Sequence, residues 1–174
     1  MEIIYYFVLG LVQGLTEFLP VSSSGHLVLL NKLFGNGNNF LFVSILLHVA
    51  TLFSVCFVLR KEIFELIKHP FSKQTLNIAY ATICSFVIVL LFKSFFEDAF
   101  GGEYLSICFI ITAIILMLSY FKTKSGLYKK YDKINWKNSV ITGLVQGVAV
   151  LPGISRSGST ICSLILLIFI IIKE

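Results

Sequence analysis

Two short polar segments in an otherwise apolar chain carry the side chains that could do chemistry. Residues 13–26 contain Glu17, three consecutive serines and His26, and residues 151–160 contain Arg156 among serines and a threonine. Ser- and Gly-rich turns that open a helix offer free backbone N–H groups to an anion, and the helix dipole adds to the attraction. A guanidinium can bind two phosphate oxygens at once. The pattern therefore predicts a phosphate site.

The first segment offers more than one nucleophile and more than one base. Ser23 or Ser24 could attack with His26 as the base, or His26 could itself be the nucleophile or carry the proton. Glu17, which lies before the helix break at Pro20, could orient His26, act as a base or bind a divalent cation. The residue types leave these alternatives open.

Structural roles compete with the catalytic ones. Serines in membrane helices often serve only close helix packing, and Arg156 could be no more than an ion-pair partner of Glu17. His48 lies in an otherwise apolar run. We expect it to be hydrogen-bonded inside its helix, so that His48→Ala would be nearly silent.

The composition excludes a soluble globular domain. Of the 174 residues, 57% are hydrophobic and 13% are charged, whereas soluble domains have about 45–50% apolar and about 25% charged residues. The net charge of +5 comes mainly from basic residues in two loops, and a helical stripe of basic residues, typical of nucleic-acid binding, is absent. The sequence predicts an all-α integral membrane protein, embedded in a lipid bilayer, that binds no nucleic acid.

Three runs match the about 17–25 residues that a helix needs to cross a bilayer. These predicted spans are residues 40–59, 76–92 and 104–121. The loops 60–75 and 122–138 hold four and six basic residues, whereas the loop 93–103 holds one lysine and three acids. By the positive-inside rule, the first two loops are cytoplasmic and the third is external.

Two further apolar stretches are broken too early to span. Residues 3–18 lead to Pro20, and residues 139–151 stop at Pro152. A helix of about 10–12 residues crosses only about half of the hydrocarbon layer, so each stretch is predicted to be half of a re-entrant hairpin. The partner halves are predicted at residues 27–34 and 161–172, with turns at 20–25 and 152–158.

The two hairpins are related by an internal repeat. At an offset of 133, residues 10–25 match residues 143–158 with eight identities in sixteen positions, including Gly-Leu-Val-Gln-Gly in both. The loop charges make the hairpins enter from opposite faces, which is an inverted-topology repeat whose tips meet near the midplane. The chain is thus predicted to be one membrane domain, residues 1–174, with a first repeat at 1–125 and a second that starts at 134–174.

The second repeat is incomplete in this sequence. A double repeat needs about 266 residues, twice the offset of 133, and the equivalents of residues 42–125 are missing. The polar turn of the second hairpin would then face lipid, which costs several kcal/mol for each unsatisfied group. We expect this chain alone to be poorly active, or an inactive remnant, unless it forms a homodimer or a separate fragment supplies the spans.

The polar segments also identify a family. Gln13–His26 (QGLTEFLPVSSSGH) and Pro152–Thr160 (PGISRSGST) closely resemble the two signature segments of the bacterial undecaprenyl-diphosphate phosphatases, the bacitracin-resistance type of integral membrane phosphatase. The resemblance implies hydrolysis of undecaprenyl diphosphate to undecaprenyl phosphate and phosphate, which recycles the lipid carrier of cell-wall synthesis. It also implies a site that opens to the external face of the bacterial cytoplasmic (inner) membrane, often assisted by Mg²⁺ or Ca²⁺.

The resemblance assigns roles by position. Glu17 matches an acid tied to activity, Ser23 a proposed nucleophile, His26 the motif histidine and Arg156 the phosphate-binding arginine. The predicted diphosphate-binding set is Ser22, Ser24, Gly25, Ser155, Ser157, Gly158 and Thr160. Many members have Glu where this chain has Gln13, so a cation held by Glu17 and Gln13 would use an amide oxygen in place of a second carboxylate.

A transporter or channel for a phosphate-like anion is the alternative function, because inverted repeats with broken helices are the architecture of secondary transporters. A transporter needs Arg156 and helix N-termini for binding, but it needs no nucleophile or proton shuttle. Phosphate release by the purified protein separates the two.

Overall fold

A computed structural model describes residues 2–35, 39–124 and 135–173. The connections at 36–38 and 125–134, the latter within the predicted cytoplasmic loop 122–138, lie outside the described residues. The described part of the chain is all-helical, with nine helices and no strand. They are α1 (Glu2–Thr16), α2 (Ser23–Phe34), α3 (Phe40–Val58), α4 (Arg60–Lys68), α5 (Lys73–Leu91), α6 (Lys93–Ala99), α7 (Leu105–Lys124), α8 (Trp136–Val148) and α9 (Arg156–Lys173).

The three predicted spans are confirmed as helices α3, α5 and α7. Each has 19 or 20 residues and is long and apolar enough to cross a membrane. Their apolar side chains point mostly outward. Among the described residues, α5 has no buried residue, and the only buried residue of α3 is Ser44. Exposed apolar faces of this extent are stable in lipid and not in water.

Two segments predicted as loops contain short helices instead. The loop 60–75 includes α4, and the loop 93–103 includes α6. In α6, Lys93 and Glu97 form an i,i+4 pair with Nζ and Oε1 3.6 Å apart, and in α4 the Lys68 ammonium lies over the Phe64 ring. Neighbouring side chains one turn apart favour a helix over an open loop, which the charge pattern alone does not indicate.

The predicted hairpin halves are also helices, but their second halves begin earlier than expected. The helix α2 begins at Ser23, not at residue 27, and α9 begins at Arg156, not at residue 161. The reason is a serine N-cap on each: Ser22 Oγ accepts from Gly25 N at 3.3 Å, and Ser155 Oγ accepts from Gly158 N at 3.1 Å. A serine cap satisfies a backbone donor that a helix end would otherwise leave unpaired, so the helix starts directly after it.

Helix packing fixes the position of the second helix pair. The pair α8 and α9 lies between α5 and α7. A Cβ on Gly143 of α8 would overlap the backbone of Ala81 in α5, and Ser85 Oγ donates to the Gly143 carbonyl at 2.8 Å. Small residues let the two backbones approach closely. The turn between α8 and α9 is therefore held by two long helices.

Candidate active site

The two polar turns, although 133 positions apart, are in direct contact. A Cβ on Gly25 would lie 2.7 Å from both Cα and N of Gly153, so only glycine permits this approach. Gly153 N donates to Ser22 Oγ at 3.1 Å, and Ser157 Oγ donates to the Leu19 carbonyl at 3.3 Å. The structure thus brings together the two segments that the sequence predicts to share one site.

The carboxylate of Glu17 is the centre of a small hydrogen-bond network. Its Oε2 accepts from Ser23 Oγ at 2.5 Å and from Gln13 Nε2 at 2.9 Å. Gln13 Nε2 also lies 3.4 Å from Thr51 Oγ1 on α3. A carboxylate oxygen that accepts from a hydroxyl lies within reach of the hydroxyl proton. Glu17 is therefore placed to take the hydroxyl proton of Ser23.

A cavity of about 670 Å³ opens beside this network. Its charged lining residues are Glu17, Glu97 and Arg156. The apolar lining residues on α3 are Leu41, Ile45, Val49, Leu52 and Val55. The cavity lining thus combines charged and apolar side chains, as a lipid with an anionic headgroup requires.

The guanidinium of Arg156 is available to a ligand. Arg156 is exposed, and within the described residues it forms no ion pair; the carboxylate of Glu17 pairs instead with Ser23 and Gln13. The interpretation of Arg156 as only a structural partner of Glu17 therefore has no contact to support it. An unpaired guanidinium at the mouth of a cavity favours an anionic ligand.

His26 lies apart from the carboxylate. Its Nδ1 is 2.8 Å from the Ser22 carbonyl oxygen, and its ring meets the Phe109 ring edge-on with centroids 5.3 Å apart. Among the described residues, the bonding partners of Glu17 do not include His26. Of the candidate nucleophiles Ser23, Ser24 and His26, Ser23 is the one whose hydroxyl bonds to the carboxylate.

Ser157, whose hydroxyl bonds to the Leu19 carbonyl, is one of the predicted diphosphate ligands, and the others lie in four different environments. Ser22 and Ser155 are buried helix caps whose hydroxyls already accept backbone N–H groups. Ser24 lines the cavity. Thr160 donates to the Arg156 carbonyl at 2.8 Å and faces a different groove, between α5, α8 and α9. Gly25 and Gly158 serve close packing at the turns.

His48 has a contact that the sequence does not predict. Its Nδ1 lies 2.8 Å from the Ser44 carbonyl oxygen, which is the expected bond within its own helix. Its other nitrogen, Nε2, faces Glu17 Oε2 at 3.9 Å. His48 and Thr51 are one turn apart on α3 and both face this carboxylate network. Two polar residues at i,i+3 in an apolar helix are the signal that could have found them.

We therefore expect His48→Ala to lower the turnover of a diphosphate substrate by about tenfold, the rate equivalent of about 1.4 kcal/mol. The reason is that His48 borders the Glu17 carboxylate on the cavity side. The measurement is steady-state phosphate release in detergent. His69→Ala, in the exposed connection before α5, is the matched control. Equal rates for the two variants would restore the purely structural interpretation of His48.

Glu17 and Gln13 are the residues to which the sequence assigns a divalent cation. Gln13 Oε1 is buried and has no hydrogen-bond partner. The described residues contain no group of three or more His, Cys, Asp or Glu that could hold a metal ion. Mg²⁺ commonly keeps several waters and binds one or two protein carboxylates plus substrate phosphates. One carboxylate and one unpartnered amide oxygen fit that mode.

Three apolar helices of spanning length define a multi-pass membrane protein. Its two polar turns meet beside an acid–serine pair and an exposed arginine. The family model described as "Bacitracin resistance protein BacA" matches residues 6–169. The chain belongs to this bacitracin resistance protein family.

Curated relatives agree with this assignment. The chain is 49% identical over 155 residues to the undecaprenyl-diphosphatase of Carboxydothermus hydrogenoformans. This match covers 88% of this chain and 59% of that protein. It is 46% identical to undecaprenyl-diphosphatase 4 of Bacillus thuringiensis strain Al Hakam, over 89% of this chain and 60% of the relative. It is 40% identical to the undecaprenyl-diphosphatase of Christiangramia forsetii, over 96% and 66%. The chain thus spans about 60% of the length of the first two relatives.

Proposed function

We propose that this protein hydrolyses undecaprenyl diphosphate to undecaprenyl phosphate and inorganic phosphate. The observation that carries the proposal is the hydrogen bond from the Ser23 hydroxyl to Glu17, whose carboxylate lines the same cavity as Arg156. An anion carrier needs no hydroxyl paired with a base. The name undecaprenyl-diphosphatase of the relatives supports the choice of substrate.

The reaction follows from the positions of the side chains. Arg156 binds oxygens of the diphosphate with its two-pronged guanidinium, and Ser23 Oγ attacks the terminal phosphorus. Glu17 takes the proton from Ser23 as the new P–O bond forms. The bond from this phosphorus to the bridging oxygen breaks, and undecaprenyl phosphate leaves. Glu17 gives up this proton to solvent, and its carboxylate then takes a proton from a water that attacks the phosphoserine. The bond from phosphorus to Ser23 Oγ breaks, phosphate is released, and the proton on Glu17 passes to Ser23 Oγ.

A bound Mg²⁺ or Ca²⁺ would be held by Glu17 and Gln13 Oε1, and it would neutralise part of the diphosphate charge. The chain's own residues would keep their tasks in its presence. Gln13 Nε2 would keep the carboxylate directed at Ser23, and Arg156 would bind the phosphate oxygens that the cation leaves free.

The test is phosphate release from undecaprenyl diphosphate by the purified 174-residue protein in detergent, with and without Mg²⁺. Release that disappears in Ser23→Ala supports hydrolysis. Binding of the lipid without any release, combined with anion flux through proteoliposomes, would support the transporter instead. A protein that neither releases phosphate nor moves anions agrees with the inactive remnant.

We also propose that α1–α2 and α8–α9 are re-entrant hairpins of an inverted-topology repeat within one membrane domain. Matching hydrogen bonds at the offset of 133 support this proposal. Ser22 caps α2 through Gly25 N, as Ser155 caps α9 through Gly158 N. The hydroxyls of Ser22 and Ser24 are 3.5 Å apart, and those of Ser155 and Ser157 are 3.3 Å apart. Dimerisation stays a prediction of the sequence, which cross-linking in membranes would test.

The proposed orientation in the cytoplasmic (inner) membrane places α6 outside and α4 inside, with the site open to the external face. In a background without the native cysteines, Ser94→Cys is expected to react with an impermeant maleimide in intact cells. Lys61→Cys and Lys137→Cys are expected to react only after permeabilisation, because basic segments stay cytoplasmic. External labelling at position 137 would contradict both the orientation and the inverted repeat.

A further inference from the structure

Thr112 is a buried hydroxyl in the middle of the apolar helix α7. Threonines in helices commonly donate to the carbonyl four residues earlier. Here Thr16, Thr82, Thr123 and Thr160 do so. Thr112 instead donates across to the Gly153 carbonyl at 2.8 Å and accepts from Ser155 N at 3.1 Å. Its hydroxyl therefore serves the turn before α9 and not its own helix.

The segment held by Thr112 is short and closely packed. Gly153 has a φ of +97°, and a Cβ on it would lie 2.7 Å from Cys108 Cβ of α7. Ile154, between the two bonded residues, is buried against Cys108. With Gly153 N bonded to Ser22 Oγ, the polar backbone atoms of this turn are held both by α7 and by the first turn.

Arg156 is the next residue in the chain after this held segment. It is the first residue of α9, and its guanidinium has no ion-pair partner among the described residues. The direction of its side chain therefore depends on where the backbone of Ser155 and Arg156 lies. The Thr112 hydroxyl bonds directly to the Ser155 end of that backbone.

We propose that Thr112 is a positioning residue, which holds the second turn so that Arg156 faces the phosphate group in the cavity. This role rests on the proposed function, because it gives Arg156 a phosphate to bind. Thr112 itself lies on α7, next to the turn, and acts through its hydrogen bonds to Ser155 and Gly153.

The variants separate the hydroxyl from the shape of the side chain. Thr112→Val keeps the shape and removes the hydroxyl, whereas Thr112→Ser keeps the hydroxyl. Thr112→Cys weakens the hydrogen bonds without changing the side chain to a fully apolar one. It replaces Thr112→Val in the test if the valine variant does not fold. Thr123→Val on the same helix is the matched control, because its hydroxyl bonds only to its own helix at Ser119.

Two measurements are made on each purified variant. Hydrogen exchange of the peptide that contains residues 153–157 is expected to speed up about tenfold in Thr112→Val, because the Ser155 N–H loses its acceptor. The affinity for inorganic pyrophosphate, by calorimetry, is expected to fall about tenfold as well. Thr112→Ser and Thr123→Val should stay within about twofold of the parent protein, and Thr112→Cys should lie between.

Unchanged exchange or unchanged pyrophosphate affinity in Thr112→Val and Thr112→Cys would overturn the proposal. Equal losses in the serine and valine variants would also overturn it, since packing rather than the hydroxyl would then matter. A parent protein that binds no pyrophosphate would overturn it too. If pyrophosphate binds and depends on Thr112, but undecaprenyl diphosphate is not hydrolysed, the proposed function fails while this role of Thr112 stands.

Discussion

Arg156→Ala is expected to lower kcat/KM for undecaprenyl diphosphate by at least about 10³-fold, the scale of removing a transition-state guanidinium from a phosphoryl-transfer site. The structure places this guanidinium on the cavity that holds Glu17, and it has no protein ion-pair partner in the part of the chain that is described. Its removal therefore strands no buried carboxylate, and the fold should survive. The measurement is phosphate release by purified protein, with a thermal unfolding curve beside it.

Arg156→Lys is expected to recover little of that loss. A lysine ammonium is a point charge on a flexible stem and cannot bind two phosphate oxygens in a fixed plane. Arg60→Ala, at the exposed start of α4, is the control for loss of an arginine. Near-normal turnover in Arg156→Lys would mean that charge alone is enough, and it would contradict the two-pronged contact.

Glu17→Gln is expected to lower kcat by about 10²–10⁴-fold, the range for loss of a general base. The substitution preserves size, so it leaves the path of α1 unchanged while it replaces the basic carboxylate that faces Ser23 Oγ with a non-basic amide. Ser23→Ala should cause a loss at least as large, because it removes the nucleophile itself. The double variant should lose little more than either single one, since the two residues act as a unit.

The control for Glu17→Gln is Glu62→Gln in the exposed helix α4. A loss in the double variant equal to the product of the single losses would show that Glu17 and Ser23 act independently. Activity that persists in Ser23→Ala but disappears in His26→Ala would reverse the choice between the two nucleophiles.

The spans were predictable from the sequence because an apolar run of bilayer length leaves few alternatives. The helices α3, α5 and α7 follow the predicted runs to within three residues at every end. The predicted starts of α2 and α9 are wrong, because apolarity alone does not mark where a helix begins. The N-cap residues Ser22 and Ser155 mark the start of each helix better. A cap accepts a hydrogen bond from a backbone N–H of the first turn, whatever the hydropathy of the residues that follow.

The residue types of the site were predictable, but not their pairing. Glu17, Ser23 and His26 lie within ten positions, and each could have faced either of the others. The backbone path across the break at Pro20 decides, and it turns Glu17 toward Ser23 and His26 toward the Ser22 carbonyl. The contacts of His48 and Thr112 depend on how α3 and α7 are rotated against the turns, and near-uniform apolarity around a helix carries no signal for that rotation.

The contact between Gly25 and Gly153 makes the two halves of the chain depend on each other. A Cβ on Gly25 would lie 2.7 Å from the Cα of Gly153. The gap between the turns is therefore set by main-chain atoms, and neither glycine has a side chain that could become smaller to make room for a larger neighbour. A chimera that joins the first hairpin of one relative to the second hairpin of another would keep this geometry only where both donors have glycine. A side chain added at Gly25 would therefore have to displace the second turn as well as the first.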